Sequence, residues 1–510
     1  MPRAVDARPG ADARGTTDAT EPTPVGRWFV YAASEDLGPG PSIHTRLFAV
    51  NLDAPEAPRL AISLADDRIV YGFVFSPDRR RVAYGLRGLS DDRVGIYMVD
   101  FSSGQPGQSV VVDDRAGTIG SYDLAWSTDG RYLAYSTWHA NPVGWDIKVI
   151  DMSGAVPGPV VVADEVALES GGSVRWINEN ILAYKASSTE QPLRFVSRTP
   201  AGSWVPTVLE TGIVRLFYVD SRPHPPAALV TEGCSGAFID FAAARMRSVV
   251  HGIIGAENLT WVAERTPDGT WSIFPGSATV QPAVATLTGG LRDLSSPRCD
   301  SGVWSHHGAM LSWIDNTSYA VRVTSFDAAG TPTTLPVGGS AQTDSVMFSP
   351  NDRWLLIHGS YYRNPALARL HDGVVDDARP IAAPDTDGGA GIVVEDVAFQ
   401  QDGAFVFFVR RDASTGARAI YRASLGTAAM GQPQSVAQLP GAEMGALRYS
   451  VSGDGRTLVY IIIDPTGTPQ SFFAVDLTQT QLPPRPLIPG PNCAVSAGTC
   501  SDLLGWEVLP

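Results

Sequence analysis

The chain has 510 residues, 44% hydrophobic and 9% aromatic, which is enough apolar material for a large core and too much for a chain disordered throughout. Its 38 lysines and arginines against 53 aspartates and glutamates leave a formal charge of −15 with no basic block, which argues against nucleic acid and anionic membrane surfaces as partners. The 51 glycines and 39 prolines argue against a mainly helical protein, and no run reaches the roughly 18 consecutive apolar residues of a membrane-spanning helix.

Taken from the N-terminus, residues 1–26 carry Ala, Asp, Arg, Thr, Pro and Gly without periodicity or an apolar core, and are expected to be a disordered leader or linker. The segment resembles the tether behind the signal peptide of exported bacterial proteins. On that likeness the chain is expected outside the cytoplasm: periplasmic, tethered at the outer membrane, or secreted.

From residue 27 on, the chain repeats itself. FSPDRRRVAY at Phe75, WSTDGRYLAY at Trp126, WINENILAY at Trp176, WSHHGAMLSW at Trp304, FSPNDRWLLI at Phe348, FQQDGAFVFF at Phe399 and VSGDGRTLVY at Val451 share one form. An apolar residue closes a strand, a polar turn reverses the chain, and β-branched or aromatic residues build the antiparallel partner. A third strand follows, as in GIYMVDFSSG from Gly95, DIKVIDMSG from Asp146 and AIYRASLG from Ala419. Runs such as VVVDD from Val110, VVVAD from Val160 and PTVLE from Pro206 supply a fourth. The hairpins recur at intervals of 44 to 52 residues outside the degenerate stretch 212–290, which reads either as one unit with an insertion or as two compact units.

A four-stranded antiparallel sheet cannot bury both faces alone, so successive units must stack, and radial stacking gives a β-propeller. The repeat resembles that of the TolB-type, WD40-like PD40 propellers, with FSPDRRRVAY, WSTDGRYLAY and FSPNDRWLLI carrying the pattern most fully. The expected fold is therefore all-β: residues 27–510 form a single closed propeller of about nine four-stranded blades, within a range of eight to ten. RWFVYAAS reads as a second strand lacking its first, and SDLLGWEVLP as a last strand with no hairpin after it. Residues 503–508 are accordingly expected to complete the blade built by 28–63.

The repeat aromatics Trp126, Trp176, Trp304, Phe348 and Phe399 are expected in the core. Asp78, Asp129, Asp402 and Asp454 are expected to cap their turns, and His306 and His307 to sit in a solvated turn. Two matching segments, YSTWHANP from Tyr135 and HGSYYRNP from His358, are placed in loops after second strands, on the face opposite the Ser-Pro-Asp-Gly turns. Trp138, His139, Trp145, Tyr361, Tyr362 and Arg363 either stand out there as binding anchors or fold back over the blade edges as packing residues. Cys493 and Cys500 bracket a loop short enough for a disulfide, which would point to an oxidising compartment; the other reading is two unrelated buried thiols.

Catalytic and metal motifs are weak. No G-x-S-x-G elbow occurs, GCSG at Cys234 has the wrong order, and the acidic turn with Asp385, Asp387 and Gly388 departs from a calcium loop. No metal site or cofactor is expected. The leading reading is a non-enzymatic scaffold that presents loops to a protein or glycan. The other is a propeller enzyme, a lyase or glycoside-active, whose residues converge on the central channel from several blades.

Overall fold

The computed structural model describes residues 27–36, 43–53, 60–63, 68–88, 93–118, 124–140, 143–154, 156–166, 174–185, 193–209, 218–222, 227–232, 235–241, 245–249, 253–255, 261–265, 271–277, 281, 283–287, 302–315, 317–318, 320–327, 330–338, 343–359, 365–371, 374–381, 392–427, 429–439, 448–452, 455–463, 469–478, 485–486 and 506–509. Cys493, Cys500, Asp385, Asp387 and Asp454 lie outside them. Among the described residues every regular element is a strand, and no helix is long and apolar enough to cross a membrane.

Among the described residues the strands form nine sheets: seven of four strands, one of five and one of eight. Each four-stranded sheet in the chain's interior is a meander of consecutive antiparallel strands, as the repeat requires. The degenerate stretch divides into two compact sheets, one from Tyr218–Arg222 to Arg245–Val249 and one from Ile253–Gly255 to Ala285–Thr286. The eight-stranded sheet joins two units where Thr118 pairs with Trp138. The chain ends share one sheet: Trp506–Leu509 runs antiparallel to Trp28–Asp36, with Trp28 opposite Leu509 and Tyr31 opposite Trp506.

The recurrent turn explains its own sequence. Its leading serine is buried at Ser76, Ser127, Ser305, Ser349 and Ser452. In each case the serine Oγ accepts the backbone N–H five residues on, from Arg81 (2.9 Å), Tyr132 (2.8 Å), Met310 (3.1 Å), Trp354 (3.0 Å) and Thr457 (2.9 Å). The third turn residue accepts the serine hydroxyl and a backbone N–H, as Asp129 does from Ser127 (2.6 Å) and Arg131 (3.0 Å). Asp78 makes the same pair of contacts, and Asp402 accepts from Ala404 N at 2.8 Å, so these carboxylates cap their turns as expected.

The fourth turn residue has positive φ throughout: Gly130 at 68°, Gly308 at 68°, Gly403 at 69° and Gly455 at 69°, with Arg79 and Asp352 at 55° as the non-glycine cases. Glycine is also required at Gly403 by its neighbour, since a Cβ there would stand 2.5 Å from the Asn351 side chain of the preceding unit.

Neighbouring repeat units bury one another's apolar side chains. One cluster joins Trp28, Val30 and Leu47 to Val82, Tyr84 and Phe101; the next joins Ala83 and Ile96 to Trp126, Leu133 and Tyr135. The repeat aromatics lie in these interfaces. Trp126, Trp176, Trp304 and Phe348 are buried, and Phe399 is partly buried against Leu356 and Val406. Their indoles add polar stitches: Trp126 Nε1 donates to Val74 O at 3.3 Å, and Trp176 Nε1 to Ala125 O at 3.0 Å, each from one repeat unit to the preceding one. Arg81 likewise reaches into the next unit, donating to Gly130 O (2.7 Å) and Met152 O (2.6 Å) with its guanidinium 4.8 Å from the Trp126 ring centroid.

Gly403→Ala is expected to destabilise the chain by roughly 1–2 kcal/mol from the left-handed backbone alone, and by more because Asn351 must move. A urea midpoint equal to wild type would show that this turn is not under the stated constraint.

Candidate functional site

One of two unbroken nine-pair hairpins among the described residues lies in the eight-stranded sheet, the other in the sheet that the chain ends share. Tyr132–Ala140 and Val143–Asp151 pair without a break from Asp151 opposite Tyr132 to Val143 opposite Ala140. Trp138 and His139 are expected in a loop after a second strand, and Trp145 on the same face. All three are instead in strand, because alternation and β-branched or aromatic residues carry the ladder almost to the tip.

Trp138 stands opposite Trp145 across the hairpin and opposite Thr118 of the preceding unit. It is partly exposed, whereas Trp145 is only 5% exposed. The period of two explains the burial of Trp145, since positions 145, 147 and 149 share a face, and Ile147 and Val149 pack with Trp176 and Tyr184 of the next unit. Trp145 is thus a packing residue and not an exposed anchor, and its indole N–H finds no acceptor among the described residues. His139 pairs with Gly144 in the ladder. The His139 side chain, and Tyr361, Tyr362 and Arg363, lie outside the described residues.

Two successive junctions between repeat units carry the same polar constellation. Asp113, on the fourth strand of one unit, accepts the Tyr135 hydroxyl of the next at 2.6 Å and lies 3.5 Å from Lys148 Nζ. One boundary on, Asp164 accepts from the Tyr184 hydroxyl and from Arg194 at 3.1 Å. In both cases the tyrosine and the cation are directly opposed across a ladder, Tyr135 to Lys148 and Tyr184 to Arg194. Burial, then the adjacent carboxylate, pushes both phenols above their ordinary value, so they remain donors. In the sequence VVVDD and VVVAD read as strands alone; their recurrent aspartates, with the recurrent Ala-Tyr of the second strand, are the signal of this pairing.

Among the hairpin turns, His306 and His307 are not merely solvated. The Asp352 carboxylate of the next unit accepts the backbone N–H groups of His306 and His307, each at 2.8 Å, and faces their Nδ1 atoms at 3.1 and 2.7 Å. No local pattern marks this contact, because Asp352 stands where most of the turns carry glycine. Beside this clasp is a cavity of about 180 Å³ between the two units, lined by Met310, Val323, Leu335, Asp352, Leu370 and His371 among others.

The remaining carboxylate constellation lies on the first strand of its unit, Ile392–Phe399. A bulge between Glu395 and Ala398 leaves Asp396 at φ 46°, in the left-handed region. Glu395 is held by Arg411 (2.7 Å) and Arg418 (3.3 Å), and the Tyr449 hydroxyl of the next unit donates to the Asp396 carbonyl. Asp396 is exposed by surface area, and the shift of its carboxyl above the ordinary value comes from partial desolvation by its neighbours, then from the charge of Glu395. No group of three or more His, Cys, Asp or Glu side chains among the described residues is placed to hold a metal ion.

No sequence family matches the chain, and no curated protein matches it. Solved structures do. A eukaryotic initiation factor aligns at 13% identity and a TM-score of 0.47, covering 90% of this chain and 96% of that one. A prolyl endopeptidase aligns at 12% identity and a TM-score of 0.33, covering 85% of this chain and 55% of that one. The tricorn protease aligns at 10% identity and a TM-score of 0.28, covering 88% of this chain and 46% of that one. At these scores the likeness carries no argument about activity, and the all-β architecture stands on the strand pairing itself.

The clasp has a pH signature. Burial raises the Asp352 carboxyl, but hydrogen bonds from His307 and His306 outweigh it and hold the group below its ordinary 3.8. In acid the unfolded chain therefore binds more protons at this residue than the folded one. Its stabilisation is whole above about pH 4 and is lost as pH falls through the folded value. The melting-temperature gap between wild type and Asp352→Asn is expected to be widest above about pH 4 and to shrink toward pH 2. A gap that stays constant in melts across that range would exclude the charge as the clasp's contribution.

Proposed function

We propose that the chain is a non-enzymatic binding scaffold: a single β-propeller of nine or ten blades, closed through the sheet its two ends share, acting outside the cytoplasm on a protein or glycan. The repeat supports reading it as a TolB-type, WD40-like PD40 propeller. The observation that carries the binding reading is Trp138. It is partly exposed near the end of the long hairpin, backed by buried Trp145 and tied through Thr118 to the neighbouring unit. A large aromatic held on a stiff, doubly supported strand loses little entropy on contact, which is the property of a binding anchor. Tyr361, Tyr362 and Arg363 are proposed to line the same face from another blade, on the strength of the matching sequence segments.

Affinity capture of the full-length chain from its native cell envelope, read by mass spectrometry, is expected to recover one reproducible partner that is lost with Trp138→Ala plus Tyr361→Ala. Wild-type recovery by the double variant would remove this face from the proposal.

A second reading, a lyase or glycoside-active enzyme, is favoured by one observation: Asp396, with its strained backbone and raised carboxyl on a first strand, where a propeller's channel would be lined. On that reading a polysaccharide panel yields turnover by wild type that Asp396→Asn lowers by about a hundredfold, the scale of a lost general acid. Turnover unchanged by the substitution would exclude Asp396 from the chemistry.

A further inference from the structure

One backbone hydrogen bond marks the same place in eight units among the described residues. An N–H at the end of the third strand donates to the carbonyl just before the second: Leu52 to Arg27, Phe101 to Arg80, Met152 to Arg131, Arg198 to Asn180, Phe326 to Ala309, Leu370 to Arg353, Leu425 to Ala404 and Leu477 to Arg456. The residue that opens the second strand is thereby in register from unit to unit. In five units it is Trp28, Arg81, Tyr132, Trp354 and Phe405. Each sets a ring or a guanidinium against the next unit. Trp28 lies 6.2 Å from Phe101 between ring centroids and Tyr132 lies 5.6 Å from Trp204, while Trp354 clusters with Leu425, Phe405 clusters with Leu477, and Arg81 donates to Met152 O. Of the other three units, one opens on buried Ile181 and one on Thr457, which Arg27 of the first unit meets at 2.7 Å.

The third opens on Met310, an unbranched side chain with no ring, and here the junction is not filled. The cavity of about 180 Å³ lies between Met310, Val323 and Leu335 of this unit and Leu370, His371 and Val375 of the next. It is the space that a side chain of the protein itself occupies at those five junctions.

We propose that this cavity binds a small free aromatic molecule with one hydrogen-bond donor, of the phenol or indole class, whose ring takes the place that Tyr132 or Trp354 takes at its own junction. The volume suits one ring, since an apolar cavity of about 150 Å³ holds benzene. The walls are aliphatic with one adaptable thioether, as an aromatic guest requires. His371 supplies the polar partner. Its Nε2 faces Asp376 Oδ1 at 3.2 Å, and a carboxylate only accepts, so in the neutral ring Nε2 carries the hydrogen and Nδ1 is the acceptor. The charge of Asp352, also in the lining, is already met by two N–H groups and two ring nitrogens of His306 and His307, which leaves no open carboxylate for a cation. The match is therefore a neutral ring.

The test uses the full chain with phenol, indole and toluene as probes, read by saturation-transfer NMR and by melting temperature. Phenol and indole are expected to bind saturably and to raise the melting temperature, with toluene weaker by roughly fivefold for want of a donor. Met310→Trp, which repeats what Trp354 does in the next unit, is expected to cut indole affinity by roughly tenfold or more without lowering the melting temperature of the free protein. His371→Leu is expected to bring phenol down to the level of toluene and to leave toluene unchanged. Hydrogen exchange on wild type with indole slows amides within 370–375, a readout that needs no variant. No saturable binding of phenol or indole by wild type, or equal indole binding by wild type and Met310→Trp, overturns the proposal. A tryptophan-bearing peptide that competes with indole and binds more than roughly tenfold tighter overturns it too, by assigning the cavity to a side chain of another protein.

Discussion

A four-stranded antiparallel sheet with apolar residues on both faces is unstable by itself, and everything else in this chain follows from that constraint. Tyr132 and Ala134 have nowhere to go but against Val174, Trp176 and Leu182 of the next unit, and Ala83 and Ile96 nowhere but against Trp126 and Leu133. Burial at each boundary supplies the cohesion, while fixed polar contacts supply the registration: an indole to a carbonyl, an arginine to a turn carbonyl, an aspartate to a tyrosine. A sheet shifted along its neighbour would keep much of its apolar contact but would leave these buried donors and acceptors unpaired, which is the costlier loss.

The same constraint organises the two ends of the sheets differently. At the hairpin turns, serine, a carboxylate or amide, and a residue of positive φ form a self-contained unit, so these turns repeat with little change. The departures are informative. Asp352 accepts the cost of a left-handed backbone and gains the two histidines of the preceding turn. At the far end of the sheets no such unit repeats, and strand lengths vary: Tyr132–Ala140 runs nine residues where Ile181–Lys185 runs five. Variation placed on a repeated frame is what a recognition surface requires.

The left-handed backbone of the bulge does not coincide with the aromatic hairpin. Asp396, with positive φ and a raised carboxyl, lies on a first strand of a later unit, while Trp138 lies on a second strand of an early one. The two functional readings thus occupy different parts of the chain, and losing one leaves the other intact.

By itself the sequence determined the repeating strand, the turn and the burial of Trp126, Trp176, Trp304 and Phe348, because alternation and turn chemistry act within about ten residues of chain. The pairing of the two termini was also legible, since RWFVYAAS lacks a first strand and the C-terminal segment lacks a partner. Only the tertiary structure decided that stretch 212–290 makes two sheets, that Trp145 is buried while Trp138 is partly exposed, and that His306 and His307 meet Asp352. Each of those depends on a neighbouring unit some tens of residues away: which face of a strand meets another sheet, and which turn lies beside which, are set by contact across a boundary that no local pattern of residues records.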